Sequence, residues 1–358
     1  MRIFYASCLS PNPDVPSLGW KNNLHGSLVA MGHDVVEFDF DLETTARYLD
    51  PADPVAAEFI AANRPRLSAE LLRQIETAHA SAPLDLFFSY FYDACVEPDA
   101  VDRIRALGIT TMNWYCNGSY QMHLVRDIAP RYDVCLVPEK FRLRDYQALG
   151  ARPVYCQEAA NPDVYRPHQV AQQFDVTFVG QCYGDRPATV KWLRAQGLDV
   201  RVWGPRWEHH VQRRSRNPLK RWTQKPSGLP DHVVGGVLPD GALSRIYSQS
   251  KINLGFSACG DTHASGERIV QIRLRDFEVP MSGGFYLVEH LDELEEFFEI
   301  GREIETYRSR EELRDKIRFY LGNDEARERI RHAGRSRCLR DHTWQRRFES
   351  VFQQVGLA

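Results

Sequence analysis

Short apolar runs alternate with segments of helical periodicity along most of this chain, and that alternation leaves few folds open. Residues 2–7, 35–40, 84–90, 109–114 and 132–137 read as strands, with helices expected at 22–31, 56–80, 99–107 and 141–149. Leu67, Leu71, Leu72 and Ile75 fall at helical spacing in the longest of these. Strands and helices alternating through short connections are the signature of a parallel sheet covered by helices. After a turn-rich link, Pro162-Asp-Val-Tyr-Arg-Pro167, the pattern starts again. Strands are expected at 174–180, 200–203, 252–256 and 285–288, with a helix at 188–196. Three helical segments close the chain at 310–321, 324–340 and 343–355. Two Rossmann-like α/β units are the simplest fit, and 358 residues suit two domains. The expected division is 1–165, 166–340, and a last helix, 341–358, returning to the first unit.

Composition narrows the function classes. Hydrophobic residues make up 43% and charged residues 26%, with a net charge of −3, so the global balance gives no case for nucleic acid or an anionic membrane. The eight cysteines, at 8, 95, 116, 135, 156, 182, 259 and 338, form no C-x-x-C pair and no zinc-like cluster. They read as reduced thiols of a cytoplasmic protein. The opening Met-Arg-Ile-Phe-Tyr-Ala reads as a strand rather than a signal peptide, and no apolar run approaches a membrane span. One strongly basic run, Arg213-Arg-Ser-Arg-Asn-Pro-Leu-Lys-Arg-Trp222, stands within residues 213–225. It suits either a solvated loop or contact with an anionic acceptor, a lipid phosphate or nucleic acid.

The stretch 271–288 carries the chemistry. Arg273, Arg275 and Glu278 precede the pair Gly283-Gly284 and an apolar strand. A glutamate can accept hydrogen bonds from both hydroxyls of a ribose. Backbone N–H groups around paired glycines at a helix start can hold a diphosphate. Guanidinium suits phosphate because its fork gives parallel hydrogen bonds. The two arginines share a face only on an extended segment. An ordinary helix, Gly turn and buried strand, with one arginine paired to Asp276 or Glu278, accounts for the same letters.

The order of these features resembles the GT-B glycosyltransferases, and more specifically the CgeB-like (spore-maturation-type) group related to group 1 glycosyltransferases. Asp175-Val-Thr-Phe-Val-Gly180 with Arg186, Val202-Trp-Gly-Pro-Arg-Trp207, residues 243–256, Arg275-Asp-Phe-Glu-Val-Pro-Met-Ser-Gly-Gly284, residues 303–313 and His342-Thr-Trp-Gln-Arg-Arg347 carry it. The likeness is strong from residue 175 onward and weaker at 104–114 and 159–167. It implies two Rossmann-like domains facing each other across a cleft, a nucleoside-diphosphate sugar bound by the second, an acceptor bound by the first, and no cofactor or metal. It implies that Glu278 holds the donor ribose. The other donor-binding candidates are Gly180 and Gly204 at strand ends, Gly283 and Gly284 for the phosphates, Arg273 and Arg275 for the diphosphate or the base, and Arg186 and Lys191 beside the leaving diphosphate. Fixed cations there would stabilise the leaving group as charge develops.

Two positions depart from the family pattern. A second glutamate is expected eight residues before Glu278, where this chain has Val270, with Glu267 out of register. Acidic residues are expected near the turn after 109–114, where it has Cys116-Asn117. Asp14, His25, Asp93, Glu97 and Asn117 are the remaining acceptor-side candidates, and no catalytic base is assigned. A nucleotide-sugar epimerase or phosphorylase on the same plan, or a non-catalytic nucleotide- or sugar-binding protein, fits the same residues.

Overall fold

The computed structural model describes residues 1–7, 19–211, 228–259 and 268–357. Asp14, Glu267, Cys8 and the basic run 213–225 lie outside these residues. The chain divides into two compact units, one formed by Met1–Asn161 with Thr343–Ala358 and the other by Pro162–His342.

The first unit is a six-stranded, all-parallel sheet in the order β2-β1-β3-β4-β5-β6. Its strands are β1 (Arg2–Ser7), β2 (Asp34–Glu37), β3 (Leu86–Tyr90), β4 (Thr110–Trp114), β5 (Val134–Val137) and β6 (Pro153–Tyr155). Ile3 pairs with Leu86 and Phe4 with Phe87, and all four side chains are fully buried. Burial on both faces is what a near-continuous apolar strand requires. The long helix Pro54–Ser81 begins where Asp53 accepts from the N–H groups of Val55 and Ala56, with Pro54 at the first position. Its Leu67, Leu71, Leu72 and Ile75 point into the core, as their spacing required.

The helix Trp344–Val355 also packs into this unit. Thr343 caps it by accepting from the Arg346 N–H at 3.2 Å. Trp344 stands edge-on to Trp114 at 5.2 Å and Phe348 edge-on to Phe88 at 5.6 Å. The Arg347 side chain donates to the Gln157 carbonyl at 3.1 Å.

The second unit is another six-stranded parallel sheet, in the order β12-β11-β10-β7-β8-β9. Its strands are β7 (Phe174–Val179), β8 (Val200–Trp203), β9 (Val234–Gly235), β10 (Ser250–Gly255), β11 (Tyr286–Glu289) and β12 (Glu305–Tyr307). Val176, Phe178, Val200, Val202, Ile252, Leu254 and Leu287 build one core cluster. The winding starts at β7, moves outward to β9, then returns to β10 beside β7 and proceeds the other way. The switch point of this doubly wound sheet therefore lies between the carboxyl ends of β7 and β10, where ligands of such sheets bind.

Several expected elements differ in detail. The strand expected at 35–40 ends at Glu37, because Asp41 turns the chain by capping the short helix Leu42–Thr45 through the Thr44 N–H at 3.0 Å. The helix expected at 22–31 is a π-turn, Lys21–His25, running into Gly26–Ala30. The helix expected at 141–149 opens with a 3₁₀ turn, Lys140–Arg142. Strands β6, β9 and β12 were not expected. Among the described residues no helix is long and apolar enough to cross a membrane. The seven described cysteines are unbridged and buried.

Candidate functional site

Three arginines meet at the switch point of the second unit. The β7 strand ends at Val179, and the loop after it, carrying Gly180, Cys182 and Tyr183, leads to Arg186 at the start of the helix Arg186–Ala195. From the other side, β10 continues into an antiparallel strap. The Cys259 N–H donates to Ile269 O at 2.8 Å, the Gln271 N–H to Ser257 O at 3.1 Å, and Ala258 bridges Val270. Val270, where a glutamate was expected, therefore has a structural duty. The strap delivers Arg273 to the N-cap of the helix Leu274–Met281 in extended conformation, with Arg275 in its first turn.

The Arg186 side chain is 6% exposed. It donates to Gln181 O at 2.9 Å and to the carbonyls of Phe256 and Ala258 at 3.4 Å, and its carbon lies 3.7 Å from the centre of the Tyr183 ring. Arg273 donates to the Tyr183 hydroxyl at 3.1 Å and also to Ala258 O. The Nε atoms of Arg186 and Arg275 are buried without a hydrogen bond. Among the described residues neither of these two arginines forms an ion pair. Burial lowers the Arg186 pKa to about 10; Tyr183 works against that shift, while the charges of Arg273 and Arg275 add to it. A buried guanidinium such as Arg186, with two more arginines beside it and no carboxylate on it among the described residues, is costly unless an anion completes the site.

Glu278 lies one turn beyond Arg275 and is 4% exposed. For Arg275, burial lowers the pKa but is outweighed by Tyr247 and then Glu278, so the guanidinium sits above its ordinary value. Asp276 caps the helix through the Arg273 N–H, and burial pushes its carboxyl up to about 6. Arg186, Arg273, Arg275 and Glu278, all expected on the donor side, lie close enough for their charges to act on one another: Arg273 and Arg275 on Arg186, and Glu278 on Arg275. Lys191 is exposed on the same helix as Arg186, and its charge acts on His210 instead.

The glycine pair requires a correction. Gly283 and Gly284 follow the end of the helix Leu274–Met281, not its start. Their N–H groups donate to Pro280 O and Val279 O, both at 2.9 Å, and Gly283 has φ +69°. This is a helix C-terminal turn with its donors already used, at the negative end of the dipole, so it cannot cradle a phosphate. Gly180 and Gly204 also have packing reasons. Gly204 has φ +132°, and a Cβ there would stand 2.4 Å from Gly180 O, which accepts from the Trp207 indole at 2.7 Å.

In the first unit most acceptor-side candidates are already engaged. His25 pairs with Glu37 at 3.2 Å, and burial lowers its pKa. The Asp93 carboxylate holds the backbone N–H groups of Asp127 and Ile128, and burial raises its pKa to about 6. Glu97 precedes the helix Pro98–Ala106 and donates its N–H to Ser68. Asn117 accepts from the Tyr120 hydroxyl at 3.2 Å.

The sequence reading missed a carboxyl beside that turn. Glu139 follows β5, is 3% exposed, and accepts from the Ser119 N–H at 3.3 Å, while its Oε2 is buried without a partner. Burial pushes its pKa up to about 7. Its only trace in the sequence is a Val-Pro-Glu at a strand end. Tyr183 was missed as well, because a lone aromatic in a loop carries no signal of what it stacks on.

Comparison with known proteins agrees with this architecture. Residues 186–353 match the family model described as glycosyl transferase-like. No curated protein sequence matches the chain. Among solved structures, sucrose-phosphate synthase from Thermosynechococcus elongatus is similar at TM-score 0.60 and 11% identity, covering 99% of each chain. HepE of Anabaena, in complex with UDP and glucose, is similar at TM-score 0.59 and 11% identity, covering 100% of each. AviGT4, a glycosyltransferase involved in avilamycin A biosynthesis, reaches TM-score 0.54 and 15% identity over 98% of this chain and 96% of that one. The fold is that of the GT-B glycosyltransferases, two parallel six-stranded sheets with their helices, and residues 186–353 are glycosyl transferase-like in sequence.

Proposed function

We propose that this protein is a cytoplasmic, metal-independent glycosyltransferase of the CgeB-like kind, which moves a sugar from a nucleoside diphosphate, a UDP-sugar, to an acceptor hydroxyl. The observation that carries this reading is the arginine cluster at the switch point between β7 and β10, in which Arg186 is buried with no ion pair among the described residues and Arg273 and Arg275 stand beside it. A diphosphate is the anion that such a cluster fits. HepE, similar in fold, has been solved with UDP and with UDP-glucose.

In this reading Glu278 accepts from the ribose hydroxyls. Arg186, Arg273 and Arg275 take the diphosphate, assisted by the positive end of the helix Leu274–Met281. The bond between the anomeric carbon and the diphosphate oxygen breaks, and a bond to the acceptor oxygen forms. The acceptor's proton passes to solvent water, and the nucleoside diphosphate leaves with its added charge held by guanidinium. Arginine then does the work that a divalent cation does elsewhere.

Calorimetric titration with UDP, GDP and ADP tests it. UDP is expected to bind, and Arg186→Gln to weaken it by about tenfold or more. A well-folded wild-type protein that binds none of the three would overturn the reading.

A further inference from the structure

Tyr183 contacts both Arg186 and Arg273, and with two different parts of its side chain. Its ring lies under the Arg186 guanidinium at 3.7 Å, and its hydroxyl accepts from Arg273 at 3.1 Å while donating to Ala258 O at 3.2 Å. Ala258 O also receives Arg186 at 3.4 Å and Arg273. One neutral carbonyl has two lone pairs and no charge, so it locates the two cations without neutralising them. An aromatic face attracts a cation without supplying a negative charge of its own.

Resting on the donor reading above, we propose that Tyr183 is the positioning residue of the anion site, holding Arg186 and Arg273 as a preset pair for a diphosphate. A carboxylate in its place would discharge the site. An aliphatic side chain would let the guanidiniums separate. Tyrosine holds both and leaves their charge available, which lowers the reorganisation that binding requires.

The test uses Tyr183→Phe and Tyr183→Leu beside the wild type, with UDP and inorganic pyrophosphate as probes in calorimetry. Thermal melts check that each variant is folded. Tyr183→Leu is expected to weaken both probes on the order of tenfold or more, and Tyr183→Phe, which keeps the ring, to recover most of that loss. The Arg186 Hε resonance is expected upfield from the ring current in wild type and Tyr183→Phe, and to return downfield in Tyr183→Leu. Unchanged binding in folded Tyr183→Leu, or Tyr183→Phe no better than Tyr183→Leu, overturns the inference. A wild type that binds pyrophosphate but not UDP overturns the donor reading and leaves this inference standing. One that binds neither overturns both.

Discussion

Asp276 joins the start of the helix Leu274–Met281 to the strand beside it: one carboxylate oxygen accepts from the Tyr286 hydroxyl at 2.7 Å, and the other from the Arg273 N–H at 2.8 Å. Asp276→Ala removes a helix cap and leaves a buried hydroxyl unpaired. The expected loss is about 2–4 kcal/mol of stability, read by chemical denaturation. Asp276→Asn keeps an acceptor for one of the two and is expected to lose less than half as much.

Glu139 predicts a pH dependence with a definite sign. Its carboxyl is raised from 4.5 to about 7 in the folded state, chiefly by burial, against the Ser119 N–H and Arg142, which favour the charged form. Tyr146 and Cys116 face it from neighbouring elements, and both titrate far above this range. Between 4.5 and about 7 the folded chain holds a proton that the unfolded chain has released. Stability from this group is therefore greatest at low pH, falls through that window, and levels off above it, by at most about 3 kcal/mol. Glu139→Gln is expected to melt higher than wild type at pH 8 and to match it near pH 4.5. A variant that melts equally at both values would count against a neutral buried carboxyl.

Two glycines with positive φ separate strain from crowding. Gly301, at φ +81°, has open space around its missing side chain, whereas Gly204 would drive a Cβ into the Gly180 carbonyl. Gly301→Ala is expected to cost about 1 kcal/mol. Gly204→Ala should cost about 3 kcal/mol or more, because backbone strain and a backbone clash add. Denaturant midpoints of the two variants measure the difference.

Ligand series separate the roles proposed for Glu278 and Arg186. A residue on the ribose affects UMP and UDP alike, while a residue on the second phosphate affects UDP more. Glu278→Ala is expected to weaken both by about tenfold, and Arg186→Gln to weaken UDP several-fold more than UMP. Equal effects of Arg186→Gln on the two nucleotides would remove it from the diphosphate.

The long apolar strands were legible because parallel sheets bury them on both faces, and Leu86, Phe87 and Phe88 leave no other reading. The strands β6, β9 and β12 were not, since edge strands of two or three residues, one opening on Pro153, are too short to show a period. At the site, Arg273 and Glu278 were legible from residue type and order. The phosphate role expected of the glycine pair was not legible either way, because letters do not show whether a turn's N–H groups are already used by the preceding helix. The bonds from Gly283 and Gly284 to Pro280 and Val279 show that those donors are spent. Glu139 and Tyr183 gain their interest from partners distant in sequence, which letters alone do not reveal.

The helix Trp344–Val355 has a consequence for the order in which the chain matures during synthesis. The first unit cannot close its core until Trp344, Phe348, Val351 and Phe352 are in place, and these are translated only after all of Pro162–His342. The second unit is continuous and can reach its native packing while the first still waits, with the surface around Phe88 and Trp114 uncovered. The half of the molecule made first is thus the half finished last. A released chain ending at His342 is expected to show a protease-resistant second unit preceded by a protease-sensitive first one.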